Sequence, residues 1–342
     1  MSAAPVPVIE VHGAGPAGSA AAISARLAGA EVDLYDPSHF PHHKVCGEFL
    51  SPEAIPILEA LGLAGAFEDL HPARYSHLVL RFGPRMIRSP LPEPAYGISR
   101  HSLDQLLLDR ALSLGVRLHR ERAPEDSTLP TVVAHGRQGP HAASTTLPRG
   151  RRLFGFKAHF NGSPADPLTL FFAGRTYVGI NAVENGVINV CGIAPEDDLH
   201  RTGFDIDAYL QTLPVLAALV KPLSRSMAWL RTGPFLYAQR FQPSGVCQYP
   251  AGDALSFIDP FTGSGLLSAL LTGRLAGLHA AHSVPATRHL QLCRQALGRP
   301  FFMASIVRKV LATPLAWPLA VRIPARWLIL GTRPAAVNSF KI

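Results

Sequence analysis

The first part of the chain alternates short apolar runs with a longer alanine-rich segment. Val6 to Val11 is a β-branched run that predicts a buried strand, and Pro16 to Leu27 has the composition of a helix. A second strand is predicted from Glu31 to Tyr35. Strand, helix and strand in this order predict a βαβ unit whose two strands are parallel.

Two further helices are predicted next. Ser51 offers an N-cap and Pro52 a first-turn residue for a helix that ends at Gly62. Another helix is predicted from Leu103 to Leu114 and ends at Gly115, because glycine favours the conformation that closes a helix. Short buried strands are predicted at residues 116–118 and 131–134.

From residue 153 onward the pattern changes from helical spacing to strand-like runs. Asn185-Gly186 is a hairpin turn signal, which predicts antiparallel pairing. After Gln248 the chain returns to a loop and a long apolar helix, roughly Gly265 to His282, followed by a helical tail interrupted by prolines. The strand-like runs are Leu168 to Phe172, Tyr177 to Ala182 and Val187 to Cys191.

A glycine fingerprint lies directly after the first predicted strand. Gly13, Gly15 and Gly18 form GxGxxG, in which the first glycine permits a tight turn, the second lets the backbone approach a pyrophosphate and the third packs helix on strand. Asp36 ends the second strand about twenty residues on, where a carboxylate can accept hydrogen bonds from a ribose. These residues predict a dinucleotide site without distinguishing FAD from NAD.

A second glycine-rich segment makes that distinction. Gly252-Asp253-Ala254 is followed by Phe257-Ile258-Asp259-Pro260 and by Gly263-Ser264-Gly265. The segment resembles the second flavin signature of the group A flavoprotein monooxygenases and the related geranylgeranyl-reductase-like flavoproteins. The resemblance implies FAD as cofactor, with Asp253 on the ribityl chain and the loop from Pro260 through Gly263 to Gly265 beneath the isoalloxazine. A helix N-terminus at this loop can stabilise negative charge on a reduced flavin.

Two other segments fit the same resemblance. Ile98-Ser99-Arg100-His101 resembles the family's strand-to-helix segment, so Arg100 is a candidate to approach the FAD phosphates or ribityl chain; a surface arginine beside a helix cap is the alternative. Lys44-Val45-Cys46-Gly47-Glu48 resembles the cysteine-glycine loop of the reductase-like branch, which passes close to the isoalloxazine. Cys46 is then a candidate to contact flavin or substrate, and Glu48 to orient a hydroxyl or donate a proton. A structural loop with a buried thiol is the alternative.

The predicted sheet after residue 153 resembles the substrate-domain sheet of these flavoproteins, one face of which roofs the flavin. Tyr177, Asn181 and Asn189 are candidate lining residues, although strand alternation leaves open which of them point inward. His135-Gly136-Arg137 stands where the family has an Asp-Gly motif, which puts the contacts of that motif in doubt.

The predicted fold class is therefore α/β, with a Rossmann-like FAD-binding domain, an inserted mixed or antiparallel-sheet substrate domain and a helical C-terminal tail. The domain boundaries are predicted where the sequence changes between helical and strand-like periodicity. The predicted ranges are 1–75, 97–152 and 240–284 for the FAD-binding domain, 76–96 and 153–239 for the substrate domain, and 285–342 for the C-terminal segment.

The composition of the chain limits the classes of protein and of site to which it can belong. Hydrophobic residues make up 47% of the chain and charged residues 16%, which excludes a disordered chain. The net charge of +8 has no accompanying aromatic-basic constellation, so nucleic-acid binding is not predicted. The 4 cysteines form no CxxC pair, and no metal site is predicted. The N-terminus carries no secretory signal, which predicts a cytoplasmic protein.

The basic C-terminal tail is compatible with contact at a membrane surface. Trp317 and Trp327 could lie at headgroup level, and a solvated helical face explains the pattern equally well. The uncharged stretch from Val310 to Val321 is too short to span a bilayer and contains prolines.

Three functions follow from the resemblance, each with a hydrophobic small molecule as substrate. The leading hypothesis is a single-component monooxygenase in which NAD(P)H reduces FAD and oxygen then hydroxylates the substrate. The first alternative is an FAD-dependent reductase of prenyl or polyketide double bonds, favoured by Cys46 and disfavoured by Glu48, since the reductases carry more glycines there. The second alternative is a non-redox flavin-binding protein or cyclase, motivated by His135. A halogenase is disfavoured because no WxWxIP motif occurs and no lysine can be assigned to the halogenating position.

Overall fold

A computed structural model describes most of the chain. The described residues are 6–137, 152–164, 166–235, 238–241, 247–257, 262–311, 313, 317–318, 322 and 333–334. Pro260 and Trp327 lie outside these ranges.

The N-terminal fingerprint belongs to a five-stranded sheet with the strand order β15-β7-β1-β2-β6. Each of its strand pairs is parallel among the described residues. Parallel strands need crossover connections, which explains why helices alternate with them in the sequence. The strands are β1 (Val8–His12), β2 (Glu31–Tyr35), β6 (Arg117–His119), β7 (Thr131–Val133) and β15 (Gln248–Pro250).

Helices pack against this sheet and close its hydrophobic core. The helix after the first strand, α1, is buried along most of its length, as its alanine-rich sequence requires. In α4, Ser99 is the N-cap and its side chain accepts a hydrogen bond from the Ser102 amide. The helices of this part are α1 (Pro16–Leu27), α2 (Ile55–Ala60), α3 (Ala64–Asp69), α4 (Arg100–Ser113), α8 (Gly265–Ala281) and α9 (Ala286–Leu311).

Glycines set the packing of α1 against α8. A Cβ on Gly273 would overlap the Ala17 carbonyl oxygen, and a Cβ on Gly277 would overlap that of Ala21. Because both contacts advance by four residues in the same direction, the two helices run parallel. Their N-termini therefore open on the same side of the protein.

A second, nine-stranded sheet has the strand order β12-β8-β11-β10-β9-β4-β5-β3, with β13 also paired to β8. It is mixed, because β4 and β9 are parallel whereas the other described pairs are antiparallel. Its strands are β3 (Phe49–Leu50), β4 (Ala73–Phe82), β5 (Arg85–Gly97), β8 (Leu153–Asn161), β9 (Leu168–Ala173), β10 (Thr176–Ala182), β11 (Ile188–Pro195), β12 (Ser224–Arg225) and β13 (Leu230–Thr232). A separate short pair joins β14 (Ala238–Gln239) to β16 (Ser256–Phe257).

The two faces of the second sheet have different partners. One face buries Phe156, Val178 and Val190 against apolar side chains of three short helices. The opposite face is turned toward the parallel sheet and lines the large cavity described below. The short helices are α5 (Glu196–His200), α6 (Ile206–Gln211) and α7 (Pro214–Val220).

The predicted fold class is confirmed: a parallel α/β sheet, a mixed sheet and a C-terminal helix are all present. The domain boundaries stay a prediction. Ser51 occupies the predicted N-cap position and Pro52 the first turn, but the Ser51 hydroxyl is buried and makes no capping hydrogen bond among the described residues. The chain there begins with a single 3-10 turn, Pro52–Ala54, that leads into α2.

No helix in the described ranges is long and apolar enough to cross a membrane. Trp317 lies against the protein rather than free of it, since its ring meets the Phe82 ring edge-on at 6.0 Å and the Arg85 guanidinium lies 5.4 Å from its centroid. Membrane contact of the tail stays a prediction.

Candidate functional site

A cavity of about 1670 Å³ lies between the two sheets. Ligand pockets commonly measure about 300–1,000 Å³, so this cavity has room for a dinucleotide and a second small molecule together. Its wall includes both glycine-rich segments, the Cys46 loop and the inner face of the mixed sheet. The candidate residues from distant parts of the sequence are thus brought to one place.

The three fingerprint glycines lie as their spacing predicts. Gly13 has φ +107°, and a Cβ there would come 2.6 Å from the Ala134 carbonyl oxygen. A Cβ on Gly18 would overlap the Gly13 carbonyl oxygen, so helix α1 can approach β1 only with glycine at this position. Gly15 faces the cavity, where the nearest atom to an added Cβ is an Arg100 nitrogen at 3.8 Å. This open space in front of a helix N-terminus suits a phosphate.

Asp36 lies at the end of β2, on the cavity wall, and is 7% exposed. Its carboxylate accepts hydrogen bonds from the amides of Ala14 and Ser38, each at 2.8 Å. An ionised carboxylate has about four acceptor positions, so lone pairs remain for ribose hydroxyls. The short connection after β6 lines the same end of the cavity through Arg122 and Glu125.

The second glycine segment lies beside the first. Gly252 has φ +59° and packs against Ala17 of α1, while Asp253 lines the cavity. Burial raises the pKa of Asp253, and the charges of Arg137 and Arg100 oppose that rise. A polar cofactor group that donates hydrogen bonds to this carboxylate would relieve part of its desolvation.

Helix α8 begins at the same wall. Gly263 has φ +62°, and a Cβ there would come 2.7 Å from the Phe49 ring, whereas a Cβ on Gly265 would meet nothing within 4 Å. Gly265 is the first residue of α8 and lines the cavity, so main-chain amides with the positive end of a helix dipole face the space. Pro260, the other predicted member of this loop, lies outside the described residues.

Arg100 lies on the cavity wall, with its side chain 13% exposed, rather than on the outer surface. Its guanidinium makes two hydrogen bonds to Asp104, each 2.6 Å long, and this partner holds the pKa of Arg100 above its ordinary value although burial would lower it. Because the ion pair fixes the guanidinium close to Gly15, Arg100 presents positive charge near the phosphate position.

The Cys46 loop forms another wall of the cavity. Cys46 lines the cavity, and burial raises the pKa of its thiol, which keeps the sulfur protonated at neutral pH. Its backbone carbonyl accepts a hydrogen bond of 3.2 Å from the Asn189 side chain, and its sulfur accepts one of 3.3 Å from the Glu48 amide. The loop is therefore held to strand β11 at the sulfur-bearing residue.

Glu48 is fully buried with φ +52° and joins the start of α4 to strand β8 of the mixed sheet. Its carboxylate accepts a 2.7 Å hydrogen bond from the Arg100 amide at the start of α4, forms an ion pair with Lys157 and bonds to His159 at 2.7 Å. Burial alone would raise the pKa of Glu48, but the hydrogen bond from His159 and the charge of Lys157 hold it below its ordinary value. Glu48 is thus a carboxylate, and donating a proton from it would require the opposite shift.

His43 completes a group of ligand-type atoms near this carboxylate. Ligand atoms of His43, Glu48 and His159 lie within 4.8 Å of one another. Burial and the charge of Lys157 lower the pKa of His43 to about 4. Within the described residues Lys157 is the cation that Glu48 holds at this position, because its ammonium contacts the same carboxylate.

The three predicted lining residues share one sheet face. Asn181 lies opposite Asn189 across the β10–β11 ladder, and Tyr177, four residues before Asn181, has the same orientation. Tyr177 and Asn181 line the cavity; Asn189 is fully buried and supports the Cys46 loop instead. Strand pairing brings Lys157 and His159 to the same face, opposite Cys191 and Asn189.

Sequence reasoning missed three polar residues here, Lys157, His159 and Arg137. The Arg137 guanidinium lies 4.4 Å from the centroid of the Phe235 ring, donates a hydrogen bond to Thr232 and faces the cavity beside Asp253. In the sequence, His135-Gly136-Arg137 stands out only as a departure from the family's Asp-Gly motif. Arg137 could have been predicted as a site residue from the sequence, because a cation near an expected anionic cofactor can stabilise the charge of that cofactor.

The cavity wall fits FAD on the observations above. A carboxylate for the ribose lies at one end, two parallel helices aim their N-termini into the middle, and a second carboxylate with a glycine loop follows. Side chains at Gly13, Gly18 or Gly263 would destroy this approach.

Comparisons with known proteins agree with that fit. A flavin-dependent brominase, Bmp2, superposes with TM-score 0.78 at 17% identity, over 97% of this chain and 95% of the other. A flavoprotein/dehydrogenase from Cytophaga hutchinsonii superposes with TM-score 0.73 at 17% identity, over 89% and 86%. The myxobacterial chondrochloren halogenase CndH superposes with TM-score 0.75 at 16% identity, over 96% and 90%. The chain has the fold of the FAD-dependent flavoenzymes.

Sequence comparison finds relatives that match a shorter part of the chain. A menaquinone reductase of Mycolicibacterium smegmatis is 38% identical over 104 residues, which cover 30% of this chain and 24% of the relative. A menaquinone reductase of Mycobacterium tuberculosis H37Rv is 38% identical over 117 residues, which cover 32% and 28%. The matched region thus spans about a quarter of the length of these curated relatives. No family model matches the chain.

Proposed function

We propose that this protein is an FAD-dependent oxidoreductase that acts on a hydrophobic small molecule. The observation that carries the proposal is the single cavity in which two glycine loops, each at a helix N-terminus, face an apolar sheet surface. Asp36 would hold the adenosine ribose, Gly15 the pyrophosphate, Asp253 the ribityl chain and Gly265 the isoalloxazine edge. NAD(P)H is the proposed electron donor.

The substrate would lie on the apolar part of the mixed sheet. Strands β4 and β9 are paired in parallel, with Leu80 opposite Leu170 and Phe82 opposite Phe172, and all four side chains line the cavity. Contact of an apolar molecule with this wall gains about 25 cal/mol for each Å² removed from water. The wall would also keep water from the reacting atoms.

The finer reaction that we propose is reduction of a carbon–carbon double bond. The 38% identity to a menaquinone reductase over 104 residues supports a reductase, and the protonated Cys46 thiol on the cavity wall supports delivery of a proton to carbon. FAD that NAD(P)H has reduced would supply the hydride to one carbon of the double bond, and the other carbon would take a proton. Cys46 would hold that proton, and Glu48 would fix the loop that carries it.

Hydroxylation is the second candidate. The apolar wall favours it as well, because oxygen-dependent chemistry needs a cavity from which water is excluded. The two reactions differ in their oxygen requirement. Only the hydroxylation consumes oxygen.

Two measurements test the proposal. The purified protein is expected to bind FAD, seen as flavin absorbance that remains after gel filtration, and a protein that neither carries nor takes up FAD contradicts the proposal. NADPH oxidation with prenylated quinones is then followed with and without oxygen. Turnover without oxygen supports the reductase, and turnover that requires oxygen supports the monooxygenase. Bound flavin that neither NADPH nor dithionite reduces would favour the non-redox alternative.

A further inference from the structure

Arg333 lies at the wall of the cavity, where the apolar sheet surface meets the α8 loop. It is 9% exposed, and its Nη1 donates a hydrogen bond of 3.1 Å to the carbonyl oxygen of Gly263. Its guanidinium also lies 5.3 Å from the centroid of the Phe49 ring. The arginine is therefore fixed beside the segment proposed to meet the isoalloxazine.

The guanidinium has an unused donor. Nε of Arg333 is buried and finds no hydrogen-bond partner among the residues that the structure describes. A buried donor without an acceptor is unfavourable, and more so when the group is charged. Because Arg333 lines the cavity, a turn of its guanidinium toward a bound oxygen acceptor would remove that cost.

The charge of Arg333 is incompletely balanced as well. Burial lowers the pKa of Arg333, and the nearby Glu53 carboxylate opposes that effect. No ion pair within 4.0 Å joins the two side chains in the described part of the chain. Glu53 therefore moderates the charge from a distance and leaves the hydrogen-bonding positions open.

The surroundings of Arg333 are apolar on the opposite side. Val307 and Leu311, near the end of α9, line the cavity together with the leucine and phenylalanine side chains of β4 and β9. Leu311 packs against the hydrophobic cluster that contains Leu80 and Phe172. A molecule bound between Arg333 and these side chains would meet a cation at one end and apolar side chains along its length.

We infer that Arg333 anchors the substrate through an oxygen-bearing head group, so that the substrate is amphipathic. The head group is a carboxylate, a phenolate or a quinone-type carbonyl, all of which accept hydrogen bonds from a guanidinium. The apolar body lies along β4, β9 and the end of α9. This inference rests on the proposed function and adds the substrate class to it.

The test uses two probes with the same hydrocarbon chain, dodecanoate and dodecanol, titrated calorimetrically into the FAD-loaded protein. Wild-type protein is expected to bind dodecanoate about ten-fold more tightly than dodecanol, since a hydrogen bond to a charged group contributes about 1.5–3 kcal/mol. Arg333→Met keeps the apolar stem and is expected to abolish the preference, whereas Arg333→Lys retains part of it. Arg322→Met, at an exposed arginine of the same tail, is the control and keeps the preference.

Two results overturn the inference: a wild-type protein without a preference for dodecanoate, and an Arg333→Met variant whose preference is unchanged. If that variant keeps the preference but loses FAD affinity, measured by flavin fluorescence, the donor of Arg333 serves the cofactor instead. If wild-type protein takes up no FAD, the proposed function fails, and the same titration on the flavin-free protein still decides the role of Arg333.

Discussion

Cys46 and Cys247 offer a matched pair at the scale of single residues. Cys46 lines the cavity with a raised pKa, whereas Cys247 is exposed on the surface. If Cys46 holds the transferred proton, Cys46→Ala is expected to lower turnover by about 10²-fold, the low end of the usual contribution of a positioned acid. FAD binding and Cys247→Ala turnover are expected to be unchanged. Steady-state NADPH oxidation measures this, and equal rates for both variants would remove Cys46 from the mechanism.

For Glu48 the prediction concerns the stability of the fold rather than turnover. Glu48→Gln leaves Lys157 without its anionic partner in a fully buried position, so the free energy of unfolding is expected to fall by about 3–5 kcal/mol. The control is Glu68→Gln, which removes an exposed ion pair with Arg74 and is expected to change the free energy of unfolding far less, because water screens this pair. Urea denaturation of both variants measures the difference. A cost at Glu48 no larger than that at Glu68 would contradict the buried ion pair.

Short sequence patterns predict the glycines that allow close approach of the backbone. They do not predict polar side chains whose partner lies far away in the chain. Gly13, Gly15 and Gly18 are defined by a spacing of a few residues, so the sequence reveals their geometry directly. Lys157 and His159 lie in a strand whose charges suggest a solvent-facing edge. Their partner Glu48 is more than a hundred residues away in the chain, and no periodicity reveals such a pair.

At the scale of elements, glycines fix the distance between α1 and α8. Gly277→Ala would push a methyl group into the Ala21 carbonyl, so it is expected to cost about 1–3 kcal/mol of unfolding free energy and to weaken FAD binding, because the two helix N-termini would separate. Gly298→Ala in α9 is the control, since its nearest contact is a side-chain carbon at 4.0 Å. Thermal unfolding and flavin fluorescence titration measure both effects. Equal behaviour of the two variants would refute the close packing.

Helix α9 carries the prediction of membrane contact. Phe302 is 63% exposed and Ile306 40% exposed, and both lie on the same side of the helix at a spacing of four residues. If this side meets a membrane, the double substitution Phe302→Ser and Ile306→Ser is expected to lower binding to anionic vesicles several-fold in a sedimentation assay. Exposed Met86, on β5 of the mixed sheet, provides the control substitution Met86→Ser. Wild-type protein that stays in the supernatant would exclude the contact.

Elements with a regular period were predicted well, and irregular ones were not. Helix α1 and strand β2 have the predicted bounds, because an alanine-rich helix and a strand that alternates more and less buried residues follow their local preferences. The hairpin of β4 and β5 was missed. Prolines interrupt the sequence of β5, and the register shifts between Tyr75 and His77, so the alternation that marks a strand is lost there.

At the scale of the whole molecule, buried histidines predict how stability depends on pH. His279 and His289 lie in the core between α8 and α9, with their Nδ1 atoms 3.1 Å apart. Burial lowers the pKa of each to about 4, and the charge of His289 contributes for His279. Since the unfolded chain takes up these protons at about pH 6.5, the folded state is most stable above that pH and loses stability as the pH falls from 6.5 toward 4.

Urea denaturation at pH 7.5 and pH 5 tests this behaviour. The wild-type protein is expected to lose roughly 2 kcal/mol more between these conditions than His289→Gln, in which one of the two titrating groups is absent. His282→Gln, at an exposed histidine one turn along α8 from His279, is the control and should follow the wild type. A wild-type protein equally stable at both pH values would contradict the shifted histidines.

The parallel contact between α1 and α8 also has a consequence for biosynthesis. The first glycine loop leaves the ribosome early, but its packing partner α8 and the closing strand β15 come from the last third of the chain. The two glycine loops can pack together only after the segment that contains α8 and β15 has been synthesised. Nascent chains that end before α8 are therefore expected to bind no flavin.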